Sequence, residues 1–389
     1  MELSSSKEDT QRIVITGAGL VCPLGHAAWE TFRALLDGRM ITDRATKLPD
    51  DVAPLDLVRA VGCTGISQHS ITDPAIDLAE RAAREAMAEA GAEPDELATF
   101  IGASKGAVYA MAGAAKDGCE TVPPDARLAI ATGPHGYVAH HLCRRLKLQG
   151  AHNVVAACAS SLTALHCARL ALQRPGGPGK ALVITAEASL LPLFVHSYQR
   201  LRVLSKLSRD EYLGRPLDKN RNGFVLAEQA AAVVIERVQA RRAGQFELVD
   251  TAIACESKDI VRNSSDMPAL RRVADRILTR MKVDVIHPHA TGTIEHDPAE
   301  LAAYEHPDSA IYACKGALGH GLGAAGLVAL VIARLCARTK RTPPMPWITD
   351  PISPEIIAGG QSLNKEDATT HAVFAAGFGG HVAGALARG

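Results

Sequence analysis

Cys158 stands where the apolar run Asn153-Val154-Val155-Ala156-Ala157 meets a helical register from about Ala159 to Leu172. A thiol at a helix start faces unpaired backbone N–H groups and the positive end of the helix dipole. Both favour the thiolate and predict a pKa below the free value of about 8.5. The small neighbours Ala156, Ala157, Ala159, Ser160 and Ser161 let a substrate come close to the backbone. The chemistry this position suggests is nucleophilic attack; a packing thiol in a small-residue turn is the alternative. His289 follows the apolar strand pattern Val285-Ile286-His287 and opens a small polar loop, Ala290-Thr291-Gly292-Thr293. His320 lies in a glycine-rich loop between the strand pattern Ala310–Ala313 and an alanine-rich helix. Each histidine reads as an acid–base group reaching into a cleft or as a histidine beside a turn, and neither alone decides.

The elements that must position these residues alternate strand, helix and glycine turn along the chain. Strand patterns occur at Arg12–Ile15, Thr99–Gly102, Ala181–Ala186 and Gln229–Ile235. Leu78, Ala82, Ala83 and Met87 give helical periodicity between Ile76 and Ala90. Arg237–Gly244 reads as a polar linker, and the alternation restarts at Phe246-Glu247-Leu248-Val249-Asp250. Two α/β halves of unequal length, 1–245 and 246–389, are the simplest architecture. Two glycine-rich segments imitate nucleotide sites without meeting their requirements. Arg12–Gly19 reads as a buried strand followed by a glycine turn at Gly17 and Gly19, but the third glycine of a dinucleotide fingerprint falls at Cys22, and Gly176–Lys180 has Arg174 and Ala181 at the decisive Walker positions.

Composition narrows the classes further. The 389 residues carry 42 Lys plus Arg and 42 Asp plus Glu, so no cationic excess exists to hold a nucleic-acid backbone. The nine cysteines are an odd number without a C-x-x-C pair, which argues against a disulfide framework and against a structural zinc site. The run Gly321–Ala333 ends at Arg334, short of the roughly 18 residues that span a bilayer. Residues Met1–Thr10 lack the apolar core of a secretory signal. The expectation is a cytoplasmic protein without a membrane segment.

In combination, the chemical segments resemble the β-ketoacyl synthases, condensing enzymes of the thiolase superfamily. Val155-Ala156-Ala157-Cys158-Ala159-Ser160-Ser161 is similar to the family's nucleophile motif, and His289-Ala290-Thr291-Gly292-Thr293 to its H-G-T-x-T motif. Lys315 with Gly319-His320 matches K-x-x-x-G-H. Pro216-Leu217-Asp218 with Arg221-Asn222-Gly223-Phe224-Val225 matches P-x-D-x-x-R-x-G-F-V, and Gly377-Phe378-Gly379-Gly380 matches the C-terminal G-F-G-G turn. The motifs occur in family order from Arg12 to the C-terminus. Biosynthetic thiolases carry a second catalytic cysteine in that last turn, whereas the last cysteine here is Cys336. Initiating synthases use Cys-His-Asn, so the resemblance is to the elongating Cys-His-His type. Departures are Ala290 for the motif glycine, His381-Val382 for Thr-Asn, Gln229 for a glycine, and Ala329 for a glutamate behind the site. The segment Glu256–Met281 is short and polar for the family, and Lys105 falls where the family lines an acyl tunnel with apolar side chains.

The resemblance implies a five-layered α/β/α/β/α thiolase-like fold with two pseudo-repeated halves, each carrying a mixed sheet. It implies decarboxylative condensation of an acyl group with malonyl on acyl carrier protein, in fatty acid or polyketide-type synthesis. Cys158 would be the nucleophile, and His289 and His320 would donate to the malonyl thioester oxygen. The backbone N–H groups of Cys158 and Phe378 would form the oxyanion hole. Lys315 would set the local field through Asp297 or Glu300, while Thr291 and Thr293 would bind the phosphopantetheine arm. Lys105 would shorten and polarise the acyl pocket. Arg200, Arg202 and Lys206 would dock the acidic carrier protein. No metal or organic cofactor is required, and a homodimer or a heterodimer with a related synthase subunit is expected. The rival readings are a silent partner subunit, a Cys-His acyl hydrolase and a carrier-binding module.

Overall fold

The computed structural model describes residues 11–41, 60–63, 72–116, 124–206, 214–256, 258–259, 264–304, 308–356, 363–364 and 369–389. The first half contains strands β1 (Arg12–Val21), β2 (Ala60–Val61), β3 (Leu97–Gly102), β4 (His152–Val154), β5 (Lys180–Glu187), β6 (Leu226–Ala227) and β7 (Gln229–Val238). Its helices are α1 (Ala28–Leu36), α2 (Pro74–Ala90), α3 (Val108–Lys116), α4 (Pro124–Leu146), α5 (Ser160–Gln173) and α6 (Pro192–Arg200). The second half adds β8 (Phe246–Cys255), α7 (Pro268–Leu278), β9 (Val285–His287), α8 (His296–Ala302), β10 (Ala310–Ile311), α9 (Lys315–Leu318) and α10 (Ala325–Thr339). It closes with β11 (Arg341–Thr342), β12 (Leu363–Asn364), β13 (Thr370–Ala376) and β14 (His381–Arg388).

Ten strands run in the order β10-β9-β13-β14-β8-β1-β7-β5-β3-β4. Read outward from the β1–β8 seam, each half has two antiparallel pairings followed by two parallel ones. This shared pattern is the pseudo-repeat. The halves are not separate sheets, because Val14 pairs with Glu247 and Ile15 with Phe246 across the seam.

Helices α5 and α10 form the middle layer, each packed against strands of both halves. α2 covers β1, β5 and β7 on one outer face, and α7 covers β8 and β14 on the other. That arrangement gives the five layers α/β/α/β/α. The middle layer is dry: Leu327, Val328, Leu330, Val331 and Ile332 of α10 are all fully or almost fully buried. The stretch Leu322–Thr339 is long and apolar enough to cross a membrane, but 83% of it is buried within the fold. Of the apolar run Gly321–Ala333 seen in the sequence, Ala325–Ala333 begins the core helix α10, which continues to Thr339. Gly17 and Gly19 do not form a turn, as the sequence pattern suggested; both lie inside β1. Their missing side chains let α2 approach, since a Cβ at Gly17 or Gly19 would press into the carbonyl of Ala86 or Ala82. Glu256–Met281, read as short and polar, contains α7, whose Leu270, Val273 and Ile277 are buried; residues 257 and 260–263 lie outside the described residues.

The close approach of α2 makes a stability prediction. Gly19→Ala should destabilise the protein by about 1–3 kcal/mol, because helix and strand must part to admit one methyl group. An unchanged thermal midpoint would show that α2 does not rest on β1 in this way.

Candidate active site

The pseudo-repeat brings the chemistry together. β4 leads through the tight turn Ala157–Ala159 into α5, and β10 leads through α9 and the turn Leu322–Ala324 into α10. Cys158 and His320 sit on these corresponding connections, while His289 follows β9. One ligand atom from each of Cys158, His289 and His320 lies within 4.8 Å of the others, and all three side chains are buried. The imidazoles of His289 and His320 meet edge to face with centroids 5.2 Å apart. The three side chains share the floor of a cavity of about 930 Å³.

Each reactive side chain is held through its backbone. Ala157 takes a left-handed φ of +47° before Cys158. Ser160 ties this turn by accepting from Ala156 N at 2.8 Å and donating to Ala157 O at 2.7 Å. A Cβ at Gly377 would lie 2.7 Å from Cys158 N, so only glycine lets the Phe378 turn come this close to the nucleophile. His289 N and Ala290 N donate to the two oxygens of Glu300, at 2.5 and 2.7 Å. Ala290 adopts a φ of +38°, and this carboxylate clamp supports the residue where the family has glycine. Gly292 N donates to Asp297 at 3.0 Å, and Asp297 also accepts from Leu217 N at 2.9 Å.

His320 is fixed from the opposite side. Its N donates to Val225 O at 2.7 Å, and its carbonyl accepts from Ala227 N at 3.1 Å. Gln229 Nε2 donates to Leu318 O and Gly319 O, at 2.9 and 3.0 Å. The glutamine that departs from the family thus clamps the His320 loop, near α10 where Ala329 is simply buried.

Burial dominates the electrostatics. It pushes the Cys158 thiol up to about 12, with Lys105 and Lys315 pulling down and Glu187 adding to the rise. Burial thus works against the lowered thiol pKa expected from the helix start, and with the thiol pushed up the resting group is protonated. His289 and His320 are held well below the usual imidazole range by burial and then by Lys315. Both are neutral at pH 7. Lys315 is itself lowered by burial, with Cys314, Glu300, Cys158 and Asp297 opposing. Asp297 and Glu300 act on Lys315 only through space, because their oxygens accept backbone N–H groups of the His289 loop. Beside them, His296 contacts Glu300 at 3.5 Å.

Thr291 and Thr293 line the cavity with their hydroxyls 3.1 Å apart, and Phe378, Arg200 and Arg202 also line it. Arg200 and Arg202 are exposed, and so is Lys206, which is not among the lining residues. Lys105 is half-buried on the loop between β3 and α3 and does not line this cavity. That loop is held by Glu187, which accepts from Ser104 N. Glu187 is 1% exposed at the end of β5, and burial raises its pKa. Sequence reasoning missed it; the available signal was a carboxylate ending an otherwise apolar strand. Asp218 of the P-x-D motif is likewise buried and accepts from Thr349 N and Asp350 N, at 2.7 and 2.8 Å.

The profile for the β-ketoacyl synthase N-terminal domain matches residues 10–241, and that for the C-terminal domain matches residues 246–348. The chain belongs to the β-ketoacyl synthase family. It is 28% identical to 3-oxoacyl-[acyl-carrier-protein] synthase 2 of Rhizobium meliloti over 86% of this chain and 88% of that one. It is 26% identical to the tetracenomycin polyketide synthase ketoacyl synthase alpha subunit of Streptomyces glaucescens, over 86% of each chain. Among solved structures it resembles a type II polyketide ketosynthase in complex with its acyl-carrier protein, with a TM-score of 0.82. That likeness, at 22% identity over 97% of this chain and 99% of the other, is one of fold.

The protonated thiol makes a kinetic prediction. Below its pKa the reactive thiolate fraction grows tenfold per pH unit, so alkylation of Cys158 by iodoacetamide should rise about tenfold per unit from about pH 6 to 9. Mass spectrometry of the Cys158 peptide separates it from exposed Cys255. A rate that levels off near pH 7 would contradict a burial-raised thiol.

Proposed function

We propose that this β-ketoacyl synthase joins an acyl group held on Cys158 to the two-carbon unit of malonyl carried on acyl carrier protein, releasing carbon dioxide. The observation that carries the reading is the convergence of Cys158, His289 and His320 at the floor of one cavity. The Cys158 sulfur attacks the acyl thioester, the carrier thiol leaves with a proton, and an acyl-enzyme remains. The oxyanion of this step is received by the N–H groups of Cys158 and Phe378, a device for which one donor typically contributes about 10²–10³ in rate. Malonyl carrier protein then loses carbon dioxide. His289 and His320, neutral and therefore able to donate a ring N–H without adding charge, hold the enolate oxygen. The enolate carbon attacks the acyl-enzyme carbonyl, the Cys158 sulfur leaves as thiolate and takes a proton from solvent, and a β-ketoacyl carrier protein is released.

Thr291 and Thr293 would bind the phosphopantetheine arm, a reading supported by their lining the same cavity as Cys158. Arg200 and Arg202 at the rim, with Lys206 farther off, offer positive charge to an acidic carrier protein. Lys105, off the cavity lining, would act on Cys158 and its acyl group through its charge alone. The division at 245/246 leaves the nucleophile on one half and both histidines on the other. The protein works in the cytoplasm as a dimer, with a second copy or a related synthase subunit, and the glaucescens relative is named as an alpha subunit.

Incubation with an acyl carrier protein thioester should give a mass increase of one acyl group on the Cys158 peptide, and malonyl carrier protein should then yield the β-ketoacyl product. Cys158→Ala should lose both while remaining folded. Cys158→Gln, whose amide imitates the acyl carbonyl, should keep decarboxylation without condensation. Release of free acid with no carbon–carbon bond formed would identify a hydrolase instead, and no acyl transfer at all would identify a silent subunit.

A further inference from the structure

The same three side chains form a donor set with a second chemistry. A sulfur and two imidazole nitrogens lie within 4.8 Å of one another, buried, at the floor of a cavity roomy enough for one more ligand. The Nδ1 atoms of His289 and His320 have no hydrogen-bond partner among the described residues, so neither ring is locked into one tautomer by a neighbour. We propose that Cys158, His289 and His320 are a reversible inhibitory site for a borderline-soft divalent metal ion, of which Zn²⁺ is the best match, and that metal and acyl substrate exclude each other.

The donor types select the metal. Thiolate and imidazole suit Zn²⁺, whereas Mg²⁺ and Ca²⁺ require oxygen ligands. With Zn–S near 2.3 Å and Zn–N near 2.0–2.1 Å, a tetrahedral ion needs its donors about 3.3–3.6 Å apart. The three atoms, none more than 4.8 Å from another, must therefore close by up to roughly 1.5 Å, the sulfur by rotation about Cα–Cβ and the nitrogens by rotation of the imidazole side chains. On binding, the Cys158 S–H proton passes to solvent, its sulfur and the two imidazole lone pairs bind the ion, and no electron is transferred. The fourth position faces the cavity and takes water or a substrate thiol. Two features keep the ion exchangeable. The buried Lys315 ammonium repels it, and the unpartnered Nδ1 atoms lack the outer acceptors that commonly strengthen a histidine ligand by 10–100-fold. Resident zinc sites avoid both.

The test uses the full chain carrying Cys255→Ala, which removes the exposed thiol among the described residues, and zinc chloride as the probe. Calorimetry should find one Zn²⁺ per chain, and Zn²⁺ but not Mg²⁺ should slow iodoacetamide alkylation of Cys158 at least tenfold. Co²⁺ should give a near-ultraviolet sulfur charge-transfer band that is lost in Cys158→Ala. His289→Ala and His320→Ala should each weaken Zn²⁺ binding at least tenfold with unchanged circular dichroism. Undiminished Zn²⁺ affinity in Cys158→Ala, Co²⁺ bound without the sulfur band, or equal protection by Mg²⁺ would overturn the proposal. The protection assay needs no variant at the site, so it decides the question even if a substituted chain fails to fold. None of these readouts requires condensation, so they stand or fall apart from the proposed reaction.

Discussion

Desolvation governs this molecule. A thiol, two imidazoles and an ammonium are gathered where the two halves meet, each largely withdrawn from water although the thiol and the imidazoles line the cavity. Under that constraint the groups sort themselves by charge. The thiol keeps its proton, the imidazoles stay neutral, and Lys315 has its own pKa lowered, while His296 against Glu300 is shifted up. Neutral imidazoles suit this buried site because each can donate one ring N–H to the enolate without bringing a further charge out of water. A protonated thiol beside them is stable at rest and becomes nucleophilic only as its proton leaves.

Such a junction must be built from backbone, because side-chain charges placed directly against the histidines would change their protonation. Glu300 and Asp297 meet this requirement by accepting the N–H groups of the His289 loop. Glu187 holds the Ser104 loop, and Gln229 holds the carbonyls ahead of His320. The carboxylates thus lie one layer away from the chemistry and fix geometry rather than supply protons to it. The pseudo-repeat makes the arrangement economical in sequence: corresponding strand ends in both halves open toward the same space, so three distant segments converge without a long loop.

The legible part of this was local. The turn of small residues around Cys158, the strand end before His289 and the glycines flanking His320 stand in sequence as they do in space, and the ordered motifs tied them together. Properties set by distant packing were not legible. The helix start at Cys158 is a local feature and argues for a thiolate, but the side chains that bury it, among them Tyr198, Phe224, Leu322 and Phe378, come from elsewhere in the chain and push the other way. Gly17 and Gly19 have the spacing of a turn, yet their role is set by α2 lying on β1. Glu300 and Asp297 were recognised as important, but hydrogen bonds to backbone N–H groups leave no sequence trace, and a partner in Lys315 was the natural guess. Gln229 was visible only as a departure; its two carbonyl partners give it a reason.

The protonation of the two histidines is the claim on which the rest turns. Nitrogen NMR of ¹⁵N-histidine-labelled protein from about pH 5.5 to 8 measures it directly, with signals assigned by their loss in His289→Asn and His320→Asn. Burial holds both folded pKa values well below the ordinary imidazole value of about 6.5, so both rings should show the separated nitrogen shifts of neutral imidazole throughout the range. A titration midpoint near 6.5 for either ring, or an imidazolium spectrum at pH 7, would contradict the account.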